Sequence, residues 1–141
     1  MTDIFRIKEY LENSSRNKII FHNGLLNFVN YVDIGKCFSK ALESKSNNVK
    51  LSLIAKEKLE SIIEDATHLN IDFGKIIALK NIGILLEPEL KFDFVNLIEN
   101  ISKSTPLFIE WNGEYDGQNI YFLSKEKGKI LNIQNTSHIF I

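Results

Sequence analysis

Gly35-Lys36 lies between an apolar stretch and a helical pattern, where a phosphate-binding loop would place such a pair. That chemistry needs Gly-x-x-x-x-Gly-Lys-Ser/Thr, so that backbone N–H groups wrap phosphate oxygens and a hydroxyl holds magnesium. Position 30 is Asn and position 37 is Cys, so the pair reads instead as the opening of a helix. Lys80-Asn81 follows the most apolar run, where nucleotide hydrolases carry an acid that holds magnesium and orients water. A lysine cannot do this, and Gly83 offers no side chain. A nuclease of the Asp…Glu-x-Lys type would need an acid two residues before Lys80, and Ala78 stands there.

His22, His68 and His138 are scattered, and Cys37 has no cysteine or histidine at metal-binding distance in the sequence. No metal and no cofactor is expected, and Cys37 reads as a small apolar side chain in a reducing compartment. Glu64, Asp65, Asp72 and Asp93 fall near helix ends and loops, and no nucleophile pairs with a base. No catalytic residue is assigned. The most distinctive segment is Phe108-Ile109-Glu110-Trp111-Asn112-Gly113-Glu114-Tyr115, a strand entering a turn with the only tryptophan. Trp111, Asn112 and Tyr115 are the candidate partner contacts, since α/β sheets place ligands at the carboxyl ends of strands. The plainer reading, a large anchor packed under a hairpin, is favoured for Trp111.

The elements that would position these residues follow from hydrophobic spacing. Ile4, Ile7 and Leu11 predict a short first helix, residues 18–22 a buried strand ending at Asn23-Gly24, and residues 28–33 a second strand. Residues 35–43 read as a helix and 44–48 as a polar loop. The apolar positions from Leu51 to Ala66 follow a 3.6 period with one interruption at Lys58, the clearest helix in the chain. Ile76-Ile77-Ala78-Leu79 is continuous rather than alternating, as in a middle strand covered on both faces. Glu87-Pro88-Glu89 starts a helix carrying Phe94, Leu97, Ile98 and Ile101. Residues 107–111 form a strand, 112–118 a glycine-rich turn, 120–123 a further strand and 138–141 a last one.

Strand and helix alternate from residue 28 to 111, so the expected class is α/β: one domain over residues 1–141, a mostly parallel sheet flanked by helices, and a C-terminal antiparallel hairpin. Apolar residues at 44% and charged ones at 25% are globular values. Seventeen basic against eighteen acidic residues give a net charge of -1, which argues against nucleic acid as a partner. Residues 1–8 contain no apolar leader, and no stretch approaches a membrane span, so a cytoplasmic location without membrane association is expected.

The run Ile76-Ile77-Ala78-Leu79-Lys80-Asn81-Ile82-Gly83-Ile84-Leu85-Leu86-Glu87-Pro88-Glu89-Leu90, then Leu97-Ile98, Ile101-Ser102-Lys103-Ser104-Thr105, Trp111-Asn112-Gly113 and Ile120-Tyr121, resembles the C-terminal half of BrxF. BrxF is the small P-loop NTPase-like component of one type of BREX bacteriophage-exclusion system. The resemblance covers residues 74–123, and residues 28–42 are loosely similar to the family's second strand and helix. It implies a truncated P-loop NTPase-like fold and a role in defence against phage, with other proteins of such a system as partners.

The departures lie in the catalytic parts. Only five residues separate the two expected strands, where the family has a phosphate loop and a helix. Lys80 replaces its magnesium-coordinating aspartate, and Gly83 replaces an acid. Phosphoryl transfer depends on positioning and charge stabilisation by those groups, so the resemblance implies a pseudo-NTPase acting as an assembly or regulatory subunit. The alternative is a nucleotide- or nucleic-acid-binding module with an unorthodox site around Lys36, Asn81 and Trp111. A third reading is a homo-oligomer, in which an apolar edge strand at Ile139-Phe140-Ile141 pairs with a second copy.

Overall fold

In a computed structural model that describes residues 2–13, 17–42, 51–87, 90–122 and 130–141, nine strands and four α-helices follow one another. They are α1 (Thr2–Asn13), β1 (Ile19–His22), β2 (Val32–Asp33), α2 (Ile34–Leu42), α3 (Leu51–Ala66), β3 (His68–Asn70) and β4 (Gly74–Lys80). A 3-10 helix, Ile82–Leu86, leads to α4 (Phe94–Ser102), β5 (Leu107–Glu110), β6 (Gly113–Tyr115), β7 (Asn119–Phe122), β8 (Ile130–Asn132) and β9 (Ile139–Phe140).

The main sheet runs β2-β4-β5-β1-β9 with every neighbour parallel, and β3 adds an antiparallel hairpin arm to β4. Side chains alternate between the two faces. Ile19, Phe21, Ile77, Leu79, Leu107 and Ile109 point to one face, under α2, α3, α4 and the small sheet. Ile20, Ile76, Ala78 and Phe108 point to the other, covered by Ile7 of α1 and by Val29 and its neighbours in the loop after β1. Both faces are dry, which is why these strands read as unbroken apolar runs. Each such buried Ile or Phe stabilises the fold by roughly 1.5–3 kcal/mol.

β6, β7 and β8 form a separate antiparallel sheet. The α/β class with a mostly parallel, helix-flanked sheet is as expected, and the C-terminal hairpin is in fact three strands. Several elements differ from expectation. The second strand is only Val32–Asp33, because Phe28 and Val29 bury their side chains from a loop: Phe28 packs on Phe73, and its carbonyl accepts a hydrogen bond from Asn70 Nδ2. β4 lies between β2 and β5, with β3 paired to it off that path, and β5 is the middle strand. The strand ends at Lys80, and residues 82–86 turn into the 3-10 helix.

The helix expected from Glu87 starts at Asp93, whose carboxylate accepts the Asn96 N–H; Pro88 and Glu89 lie outside the described residues, as does the loop at 44–48. The glycine-rich turn contains β6, and β9 joins the main sheet in parallel beside β1. No helix among the described residues is long and apolar enough to cross a membrane.

Candidate functional site

Register places four ionisable residues in one row. His22 ends β1 opposite Glu110 of β5, Asp33 ends β2 opposite Lys80 of β4, and Leu79 pairs with Ile109, so Lys80 comes next to Glu110. Alternation puts all four on the α1 side of the sheet, at the carboxyl ends of adjacent parallel strands. The connections from β1 and β5 leave in opposite directions there. Residues 23–31 cross the α1 face to the distant β2, while Trp111 and the small sheet pack on the other face before β9. Neighbouring strands with divergent connections are where open α/β sheets open a ligand crevice.

In this chain the crevice is filled from within. His22 is 1% exposed. Its Nδ1–H donates to the Gly24 carbonyl at 2.7 Å, which leaves Nε2 to accept the Tyr31 hydroxyl at 3.0 Å. The Tyr31 oxygen in turn accepts the Leu26 N–H at 3.0 Å. Burial pushes the Tyr31 hydroxyl up to about 12, so it stays a donor. Burial also lowers the His22 imidazole, with the Gly24 carbonyl and the Glu110 charge opposing. Gly24 has φ 75, a left-handed conformation that glycine adopts without strain, and this turns its carbonyl back onto the ring. Both ring nitrogens are therefore committed, and His22 clamps the loop.

A proton on His22 must break this pattern, and the sign of the effect is fixed. A folded pKa below the unfolded value of about 6.5 means that the unfolded chain binds the proton more readily. The stabilisation is complete above pH 6.5 and is lost as pH falls through the folded value. Urea midpoints measured from pH 7.5 down to pH 5 should fall, with a shallower slope in His22→Gln. An identical slope in the variant would rule out His22 as the source.

At the other end of the row, Asp33 Oδ1 accepts the Lys36 N–H at 2.8 Å and the Asn81 side-chain amide at 2.9 Å, and these hydrogen bonds hold its carboxyl below the usual range. Asn81 is left-handed, φ 55, and its carbonyl accepts the Gly35 N–H at 3.0 Å. A Cβ on Gly35 would lie 2.2 Å from Asn81 Nδ2, so this position needs glycine for close approach rather than for phosphate. The opening turn of α2 is thus closed by the chain's own anion.

The fold brings Lys36 and Asn81 together but not Trp111. Trp111 is fully buried on the opposite face, against Phe21, Phe94 and Phe122 at 5.8–6.2 Å. Asn112 is exposed; Tyr115 is half-buried, its hydroxyl 2.9 Å from His138 Nε2 and its ring stacked on Phe140 at 4.7 Å. Cys37 is half-buried against the core. The pairing of His22 with Tyr31 has no trace in the sequence, because a lone histidine and a tyrosine nine residues apart carry no spacing signal. Among the described residues no group of three or more His, Cys, Asp or Glu side chains is arranged to hold a metal ion. Compared with models of protein families, with curated proteins and with solved structures, the chain matches none.

Proposed function

We propose that this chain is a non-catalytic, P-loop NTPase-like domain that acts as an assembly or regulatory subunit of a prokaryotic anti-phage defence system. The defence role rests on the likeness of residues 74–123 to BrxF, a segment that spans β4, α4, β5 and the start of the small sheet. The absence of chemistry rests on one observation. The loop after β1, where a phosphate loop would present free N–H groups, is folded back through the Leu26 N–H, Tyr31 and His22. Lys80 at the end of β4 adds no carboxylate for magnesium.

The nucleotide- or nucleic-acid-binding alternative has less support. The Asp33 carboxylate sits on the Lys36 N–H and the Asn81 amide and would repel a phosphate, and Trp111 is buried. Titration calorimetry with ATP and magnesium should show neither binding nor turnover. Micromolar binding that is lost in Lys36→Ala or Lys80→Ala would overturn the non-catalytic reading. Phage plating on cells with and without the chain tests the defence role, and equal plating would remove it.

A further inference from the structure

A groove of about 580 Å³ runs between α3 and α4 on the helical side of the sheet. Its floor is apolar: Leu59 is buried, while Ile63, Phe92, Leu97 and Ile101 are half-buried and open to the groove. α4 bridges the carboxyl end of β4 and the amino end of β5, so it descends the sheet. α3 delivers the chain to β3 opposite Ile76, near the amino end of β4, so it descends as well.

The rim is net positive at its upper end and acidic on the α3 side below it. Lys56 of α3 and Lys91, just before α4, bound the upper end, and Glu60 and Glu64 line the α3 side below them. Asp93 is also at the upper end, but its carboxylate caps α4 through the Asn96 N–H.

We infer that this groove takes an amphipathic helix of a partner protein, running antiparallel to α3 and α4. An extended segment would lay unpaired backbone groups on an apolar floor, whereas a helix satisfies its own. A helix seated between two others packs at roughly 8–10 Å from each and buries the exposed side of the floor. The charge order selects the direction. The positive N-terminal end of the incoming dipole lies by Glu60 and Glu64, and its negative C-terminal end lies by Lys56 and Lys91. The inference rests on the assembly-subunit reading and names its docking surface.

Two fluorescein-labelled helical peptides of about 16 residues test it. Both carry a leucine stripe; one has lysines in its first turn and glutamates in its last, and the other has these charges exchanged. Fluorescence anisotropy should show the first binding about tenfold more tightly. Ile63→Asp should abolish binding. The double variant Glu60→Lys, Glu64→Lys, confined to an exposed helix face, should erase the preference. Equal affinities in the parent chain, no binding of either peptide, or an unchanged preference in the double variant would overturn the inference. Nucleotide titration is read separately: ATP binding with the peptide preference intact would sink the non-catalytic reading and leave the groove standing.

Discussion

Trp111→Ala should unfold at a lower urea concentration than the parent chain, by about 3–5 kcal/mol of stability. The indole sits where the main sheet's core meets the small sheet, edge-on to Phe21 and Phe122 and tilted against Phe94. Removing it opens a cavity shared by both sheets. A domain of this size has only about 5–15 kcal/mol in total, so the loss is severe. Trp111→Phe should cost much less, because it keeps a ring there and removes Nε1, a buried donor that finds no hydrogen-bond partner among the described residues. Circular dichroism gives both curves without relying on tryptophan emission. If Trp111→Ala were as stable as the parent, the tryptophan would not be an anchor, and a recognition role would return.

Gly113→Ala has the second large effect, about 3 kcal/mol, at the upper end of overpacking costs. A Cβ there would lie 1.8 Å from the Tyr121 carbonyl oxygen and 2.9 Å from Trp111 Nε1, so β6 must move away from β7 or the indole must shift. Gly83→Ala is the control. Its Cβ would meet the far end of the Phe122 ring, at 2.9 Å, a side-chain rather than a backbone contact. Equal losses in the two variants would show that backbone contact is not what singles out Gly113.

What the sequence announced, and what it hid, follows from how each element is stabilised. Residues 51–66 read as a helix because Ala55, Leu59, Ile62 and Ala66 line one buried side, and the helix has those bounds. Ile76-Ile77-Ala78-Leu79 read as a strand covered on both faces because both layers are present. Phe28 and Val29 misled, since burial from a loop leaves the same apolar trace as burial from a strand. β3 is invisible: in a three-residue arm, Leu69 is exposed and Asn70 uses its side chain to bind the N–H groups of Asp72 and Phe73.

The site was legible only in its parts. Lys80 reads as the wrong residue for magnesium, and it lies with Asn81 in the carboxyl-end cluster. Their neighbours His22, Tyr31, Asp33 and Glu110 arrive there through register between strands far apart in sequence. No local pattern encodes such a meeting.

The position of β1 also sets the order of events during synthesis. Both of its neighbours are made late: β5 begins at Leu107 and β9 at Ile139. Ile19, Ile20 and Phe21 therefore leave the ribosome with neither edge paired and wait on the order of ten seconds for their first partner at ordinary elongation rates. α1 is finished before them, and its Ile7 packs on the face carrying Ile20. Pairing of β1 thus depends on long-range closure, the kind of contact that slows folding.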